Sequence, residues 1–395
     1  MKLDGRGYSP LVLEQIVTAG GAVKSYEVAS VLLETLAEVE VSPRHLNNLT
    51  CMVGKELATQ TEQRTEAYRN APLPRHPNQP ETPMELATVA CDGGRMQTRL
   101  AEAGPGVHDA HWRETKNAGF FRMKTQSYEV DPHPQLPRCF ASREHMSHLL
   151  TGVPEEMDFT QPIPSSDPTP DWRPQSLFRT CLSSLSDSES FGLMMAAEAD
   201  ARGMFAARRR AYLGDGQAYN WTIQRKHFPT FEPIVDFIHS LEYLYEASRA
   251  IHLQEDAAWN VFQAWAEKTW QGGVDAIVTE LRETLAELPE HEQECRDVVT
   301  TTLTYLENNR TRMDYPRYRR EGLPVSSALI ESLIKEINYR VKGTEKFWND
   351  NERGAAILHV RAALLSHDDR LAKCLRQRPG SPYARTRKPP VSTAA

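Results

Sequence analysis

Two short apolar runs that each end at an aspartate beside glycine constrain this sequence more than any other feature. The first runs through Val-Ala-Cys to Asp92, which Gly93 and Gly94 follow, and the second runs through Ala-Tyr-Leu-Gly to Asp215, which Gly216 follows. A short apolar run bounded by turn residues is typical of a buried strand. The sequence therefore predicts two carboxylates at strand ends, with no bulky side chain beside them.

Helical and extended patterns alternate around these runs, which favours a mixed α/β fold. The expected order is three strands, a helix, a strand, a helix, a strand and then helices. The segment 84–99 predicts a strand, a Gly-Gly turn and a second strand, and 117–130 predicts a third. A helix is predicted over 188–210, a strand ending at Asp215, and a strand over Ile234 to Phe237 that leads into a helix. The Pro/Ser-rich segment 160–176 is predicted to be a surface excursion.

Composition shifts suggest six regions along the chain. Two predicted helices in the first region form a helix-turn-helix-like pair, whose second helix begins with polar residues: Arg44, His45, Asn47 and Asn48. The predicted regions are a small helical N-terminal region over 1–70, a Pro-rich linker over 71–84, the first part of an α/β core over 85–251, a helical segment over 252–300, the last helices of the core over 301–372 and a disordered basic tail over 373–395.

The charge of the chain is divided unevenly. The net charge is −7, yet residues 301–395 contain 18 Lys and Arg against 10 Asp and Glu. Such asymmetry is more informative than the total, and a basic C-terminal quarter can follow the phosphates of a nucleic acid. The alternative is that these cations only keep the helices soluble.

Cysteine spacing and hydropathy indicate the expected compartment. The six cysteines form no Cys-x-x-Cys pair, which argues against a zinc ribbon and against a disulfide framework. No apolar run approaches the roughly 18 residues that span a bilayer, and the first ten residues do not resemble a secretion signal. We therefore expect a cytoplasmic protein, with nucleoid association if it binds DNA, and no membrane partner.

A third carboxylate candidate lies late in the chain. Glu331 shares a predicted helix face with Lys335 and Asn338 at i, i+4 and i+7, while Glu336 and Glu242 are competing candidates. Two or three convergent carboxylates suit Mg²⁺ or Mn²⁺, and two such ions about 3.5–4 Å apart catalyse phosphodiester cleavage and transfer. Ordinary Asp-Gly turns, or the acid–base pair of a glycosidase, remain alternatives.

The joint order of several sequence blocks resembles a DDE insertion-sequence transposase of the ISKra-type group, related in pattern to mutator-type transposases. The blocks are CDGGRMQTR and HWRETKNAGFF, then 212–251 from YLGDGQ through VDFIHSLEYL, then 305–348 with SSALIESLIKEINYRVKG, and finally GAAILHVRAALLS. The resemblance covers most of the chain, from about Gly7 to Asp369, and their order is more specific than any single block.

This resemblance implies an RNase H-like catalytic core with an all-α insertion before the last acidic residue. It implies that Asp92, Asp215 and Glu331 are catalytic and bind two Mg²⁺ or Mn²⁺ ions, and that Asp236 and His239 form a D-x-x-H positioning signature. The expected partners are the double-stranded DNA of transposon ends and target, with the protein as a homo-oligomer on DNA. The residues expected to contact DNA are Arg95, Lys335, Asn338, Arg340 and Lys342.

The sequence departs from the family pattern in two places. Relatives often carry GSGxxES before the final glutamate, where this chain reads SSALIES, and they often begin with a cysteine-paired zinc module, which the sequence from Met1 does not have. The alternative expectation is therefore a truncated, catalytically inactive remnant that only binds DNA.

Overall fold

The computed structural model describes residues 8–78, 82–99, 111–143, 146, 172–326, 328–343, 347–348 and 350–378. Within these residues the chain folds around a five-stranded mixed sheet of order β3-β2-β1-β4-β5. The first three strands pair antiparallel, whereas β4 and β5 run parallel to β1. The strands are β1 Leu86–Gln97, β2 Trp112–Lys124, β3 Gln175–Ser184, β4 Arg209–Gly214 and β5 Glu232–Val235.

Helices account for most of the remaining described residues, so the expected α/β class is confirmed. No helix among them is long and apolar enough to cross a membrane. The helices are α1 Pro10–Ala22, α2 Tyr26–Ala37, α3 Pro43–Asn70, α4 Arg138–Ala141, α5 Ser188–Ala201, α6 Ala218–His227, α7 Phe237–Ile251, α8 Glu255–Trp270, α9 Val274–Glu287, α10 Gln293–Asn309, α11 Tyr315–Arg320, α12 Ala328–Val341, α13 Asn351–Leu365 and α14 Arg370–Gln377.

The predicted Gly-Gly turn after Asp92 is wrong, because β1 continues through both glycines. Gly93 and Gly94 pair with Lys116 and Thr115 of β2, so the ladder holds the backbone extended. A Cβ on Gly94 would lie 2.6 Å from Thr115 Oγ1. These glycines therefore allow close approach inside a strand rather than a reversal of the chain.

The number of strands before the first core helix was predicted correctly, but their positions were not. The expected strand over 117–130 belongs to β2, which ends at Lys124, and the third strand is β3, whose residues Gln175–Ser184 were not predicted as a strand. Six of the ten side chains in QSLFRTCLSS are polar or charged, and β3 lies at the sheet edge, paired with β2 alone. Its extended form depends on that tertiary pairing, which overrides a weak local pattern.

The second half of the core agrees better with expectation. β4 ends directly before Asp215, β5 overlaps the expected strand, and α7 follows it as predicted. Helices α8, α9 and the first part of α10 occupy the predicted helical segment 252–300. The predicted segment 188–210 is only partly helical, because α5 ends at Ala201 and β4 begins at Arg209. The tail beyond residue 378 lies outside the described residues.

The N-terminal helices pack against the C-terminal ones. Gly54 of α3 faces the backbone of Ala356 in α13, and Gly21 of α1 faces Val360 of the same helix. Such close helix contacts need residues without side chains at the crossing point. Residues 8–70 are therefore part of the same packed body as α12 and α13, although they were predicted as a region of their own.

A buried charge network reinforces this assembly. Glu198 of α5 is 1% exposed and accepts hydrogen bonds from Arg202, Arg370 and Arg64, at 2.7 Å for Arg202 and 2.6 Å for Arg370. Burial raises the pKa of this carboxyl, but the three guanidinium groups outweigh burial and lower it overall. Removing one member of such a buried network leaves an uncompensated charge, so the network joins α3, α5 and α14 firmly.

We predict that Gly54→Ala destabilises the protein by about 2 kcal/mol, because its Cβ would lie 2.3 Å from the carbonyl oxygen of Ala356 and one backbone must move. The measurement is the urea midpoint of unfolding. Gly354→Ala is the matched control, since the atom nearest to its Cβ would be the flexible end of Met96 at 3.1 Å. Equal midpoints for the two variants would contradict the close crossing of α3 and α13.

Candidate active site

The parallel pairing of β1 and β4 brings the two predicted aspartates together. Cys91 is paired with Gly214, and the next residues along the two strands are Asp92 and Asp215. Neighbouring strands lie about 4.8 Å apart. Two carboxylates separated by 123 positions in the sequence therefore stand side by side at the point where β4 ends.

Asp92 is a half-buried carboxylate with an unusual proton affinity. Burial raises its pKa to about 6; the charge of His239 opposes this rise, and the charge of Asp215 adds to it. The backbone N–H of Gly93 donates to Asp92 Oδ1 at 2.6 Å. A cation bound nearby would therefore stabilise the ionised form of this carboxyl.

The loop after β4 fixes Asp215 from several directions. Its Oδ1 accepts hydrogen bonds from the Gln217 backbone N–H at 2.9 Å and from Asn220 Nδ2 at 2.8 Å. The Tyr305 hydroxyl donates to the Asp215 carbonyl oxygen at 3.1 Å. Because Tyr305 belongs to α10, the helical segment between the core strands and the last helices directly supports this loop.

Gly216 is required by the shape of the same loop. Its φ is +98°, in the region that favours glycine, and a Cβ there would lie 2.4 Å from the Tyr305 ring. The glycine that follows Asp215 is thus explained by both backbone conformation and packing.

The predicted D-x-x-H signature lies beside the two aspartates. Asp236 is fully buried and caps α7 by accepting from the Ile238 N–H at 3.2 Å, and its own N–H donates to the Gly214 carbonyl oxygen at 2.9 Å. The His239 ring contacts Glu242 at 3.0 Å and lies 3.9 Å from Asp236. Asp236 thereby joins β4 to α7, next to the Asp215 loop.

His239 carries a positive charge at neutral pH. Burial lowers its pKa, but the hydrogen bond with Glu242 and the charges of Asp236, Glu242 and Asp92 outweigh burial and raise the pKa to about 10. The structure thus places a cationic histidine close enough to Asp92 to stabilise its ionised form. This contact occupies Glu242, which was a competing candidate for the third carboxylate.

Helix α12 crosses the same face of the sheet. Ile330 Cδ1 would lie 3.3 Å from a Cβ at Gly119, and Gly119 pairs with Ala90 of β1. Asn338 Oδ1 would lie 3.5 Å from a Cβ at Gly94, also in β1. Side chains alternate along a strand, so the residue midway between Ala90 and Gly94 points to the same face. That residue is Asp92, and α12 therefore passes over it.

Glu331 belongs to α12, but its side chain lies outside the described residues. Its competitor Glu336 pairs with Arg179 of β3 at 3.1 Å. The Glu336 carboxylate is therefore held at the edge strand, whereas the two aspartates lie in β1 and directly after β4.

The side chains at this site offer mainly oxygen atoms as possible metal ligands. Besides the two aspartates, the Asn338 side-chain oxygen is buried and has no hydrogen-bond partner in the part of the chain that the structure describes. Carboxylate and amide oxygens fit Mg²⁺ or Mn²⁺. No three His, Cys, Asp or Glu side chains among the described residues are grouped to hold a metal ion, so a third acidic ligand depends on Glu331.

Three of the residues expected to contact DNA are exposed: Arg95, Lys335 and Lys342. Asn338 instead lies half-buried beside Gly94, next to the carboxylates.

Arg340 has a structural position instead of the expected place at a DNA surface. It is 2% exposed, its Nε donates to the Gly20 carbonyl oxygen at 2.8 Å, and its guanidinium lies 4.6 Å from the Tyr26 ring centre. A guanidinium held in this way ties α12 to the first two helices. Helical periodicity did not distinguish it from the exposed Lys335 and Lys342.

Asn117 is a site neighbour that sequence reasoning missed. It is buried, it pairs with Asp92 across β1 and β2, and its Oδ1 accepts from Ser183 Oγ at 2.6 Å. A buried amide bonded in this way keeps the strand under Asp92 in place. The sequence signal was weak, because Lys116 and Asn117 follow the polar residues at 113–115, and only the residues after them are apolar.

Comparison with known proteins identifies no family. No family model matches the chain, and no curated protein matches it.

We predict that Asp92→Asn stabilises the metal-free protein at pH 8 by about 1–2 kcal/mol, allowing for partial exposure. The raised pKa means that the folded state binds this proton more tightly than the unfolded state. This tighter binding of the proton stabilises the folded protein fully below about pH 4, and the stabilisation is lost as the pH rises through about 6. Urea unfolding in EDTA from pH 4 to 8 measures the difference.

Asp131→Asn is the matched control of opposite sign. Burial raises the pKa of Asp131, but the hydrogen bond from Arg319, at 2.9 Å, and the other interactions outweigh burial and lower it. Asp131→Asn should therefore destabilise the protein at pH 8, and the loss should shrink as the pH falls below about 4. A destabilising Asp92→Asn at pH 8 would show that the pKa of Asp92 is not raised in the folded protein.

Proposed function

We propose that this protein is a DDE transposase with an RNase H-like core, which cleaves DNA at the ends of an insertion sequence and joins the freed 3′ hydroxyl to target DNA. One observation carries the proposal: the register of β1 against β4 places Asp92 beside Asp215, under the helix that carries Glu331. The strand order and the all-helical segment before α12 support the same core.

The residues of the site support metal-dependent phosphoryl transfer. Two divalent cations, when bound, supply activation of the attacking oxygen and stabilisation of the departing one. Asp92, Asp215 and Glu331 would hold them, and the raised pKa of Asp92 means that a nearby cation is needed to keep that carboxyl fully ionised near neutral pH. Gln217, Asn220 and Tyr305 hold the Asp215 loop in one orientation, so little rearrangement is needed when a ligand arrives.

The proposed substrate is double-stranded DNA. Lys335 and Lys342 are exposed on and just after α12, the helix that passes over Asp92, so phosphates reaching the carboxylates would pass these cations. Contacts of this kind position a duplex without reading its sequence. A homo-oligomer that holds two ends together is part of the proposal through the family resemblance alone.

A second candidate function is a DNA-binding remnant that does not cut. One observation favours it: the sequence reads SSALIES in place of a glycine-rich loop before Glu331. Such a protein would bind the same DNA with Lys335 and Lys342 and leave it intact.

We predict that the purified protein nicks a supercoiled plasmid that carries the genomic DNA flanking its own coding sequence, and that nicking requires Mg²⁺ or Mn²⁺. Asp215→Asn and Glu331→Gln should each lower the nicking rate by at least about a thousandfold, because each removes a charge that the metal needs. Gel electrophoresis of nicked and linear forms measures the rate, with EDTA as the metal-free arm.

Glu283→Gln is the control variant, since Glu283 is exposed on α9 and belongs to the helical segment rather than the site. It should nick at the wild-type rate. Binding of the flanking DNA by all four proteins without any nicking would reject the transposase and support the remnant. Nicking that survives Asp215→Asn would reject the proposed site.

A further inference from the structure

The outer surface of the first two helices carries an exposed apolar strip, which we call the α1–α2 patch. It consists of Leu11 on α1 and of Val28, Val31, Leu32 and Leu36 on α2, and Leu36 is 79% exposed. The groove between the two helices has a volume of about 400 Å³ and is lined by Leu11, Leu32 and Leu36. A contiguous exposed apolar surface of this kind marks an interaction site more often than chance.

The patch is not the unfinished side of the core. The inward side of α1 already packs against the rest of the protein, through Gly20 against Leu46 of α3 and Gly21 against Val360 of α13. The exposed residues of α2 instead recur at i, i+3, i+4 and i+8, which forms one continuous stripe on a helix. A stripe of this spacing is the complement of another helix.

The segment 8–41, whose charged residues form the rim of the patch, is acidic: Glu14 lines the groove and Glu34 is exposed on α2. Residues 8–41 contain five glutamates and one lysine, Lys24. The glutamates are Glu14, Glu27, Glu34, Glu38 and Glu40. Such a rim repels DNA phosphates, and it also repels the identical rim of a second copy in a symmetric contact.

The chain itself shows which kind of partner α1 accepts. Helix α14, with the sequence RLAKCLRQ, packs against α1 and α3 with Leu371 and Leu375 buried, while Lys373 and Arg376 remain exposed. It contains basic residues and no acidic ones. A short basic amphipathic helix is therefore already an established neighbour of α1 on another side.

We propose that the α1–α2 patch is a docking site for a basic amphipathic α-helix of another protein. The apolar stripe of the bound helix would fill the groove at Leu11 and Leu36. The Lys or Arg residues of the bound helix would face Glu34 and the other rim glutamates. The 12 residues of α2 span about 18 Å, so the bound helix has about three turns. This proposal is independent of DNA cleavage, and it assigns to the surface of α2 a partner other than DNA.

The test uses the full chain and two fluorescein-labelled synthetic helical peptides of the same apolar pattern, one with Leu and Lys and the other with Leu and Glu. Fluorescence anisotropy measures the dissociation constants. We expect the Lys peptide to bind at least about tenfold more tightly than the Glu peptide, and the difference to shrink as salt is raised.

The double variant Val31→Ser/Leu36→Ser should weaken binding of the Lys peptide by about tenfold or more, and Glu34→Lys should weaken it further at low salt. Both apolar side chains are exposed, so circular dichroism should remain unchanged. The matched control is Leu253→Ser, because Leu253 is 100% exposed and lies far along the chain from the patch. It should bind as the wild type does.

Three results would overturn the proposal. Equal binding by the double variant and the Leu253→Ser control would show that the peptide binds elsewhere or non-specifically. Absence of binding by the wild type would mean that the patch accepts no such helix. Sedimentation that shows a wild-type dimer which the double variant cannot form would assign the patch to a second copy of this chain.

Discussion

The parallel pairing of β1 with β4 is the contact on which the candidate site depends. β1 is longer than β4, so its second half pairs with β2 alone and extends beyond the end of β4. Asp92 is the first residue of β1 beyond its pairing with β4, and Asp215 is the first residue after β4. The space that opens where β4 ends is available to ligands, whereas the same residues in the middle of both strands would be closed off by the sheet.

Bringing two carboxylates together in a partly buried place is electrostatically unfavourable, and the surroundings offset this cost with fixed positive groups. The cationic ring of His239 and the N–H of Gly93 favour the ionised form of Asp92. The N–H of Gln217 and the amide of Asn220 donate hydrogen bonds to Asp215. The offset is incomplete, because the pKa of Asp92 remains above its ordinary value. A site with a residual need for positive charge is consistent with the proposed metal-dependent transposase.

The two ends of the described chain meet on the helical side of the protein. Arg340 donates to the Gly20 carbonyl oxygen, and the Glu198 network joins α3 to α14. This arrangement leaves α12 clamped between the sheet and the first helices, with one face towards Asp92. Because Arg340 ties α12 to the first two helices, the exposed lysines of α12 and the α1–α2 patch belong to one packed body.

Several features could be predicted from residue types alone. Apolar runs that end in Asp-Gly were sufficient for β4, for the start of β1 and for the two aspartates. A helix was also predicted after a strand over Ile234 to Phe237, and α7 begins at Phe237, the last residue of that expected strand. The predictions of a Gly-Gly turn and of a loop at 175–176 were wrong for one reason: β1 beyond Gly93 and β3 are extended only because β2 lies between them and pairs with both. Local propensity carries no information about such a partner.

The sequence by itself determined the α/β class and the identity of the two aspartates, because both follow from patterns a few residues long. Only the tertiary structure decided that Asp92 and Asp215 are neighbours, that Asn117 and Asn338 lie beside them, and that Arg340 is buried while Lys335 is exposed. These outcomes depend on strand register and on which side of a helix meets the sheet. Residues far apart in the chain set both, through pairing and packing that no local pattern encodes.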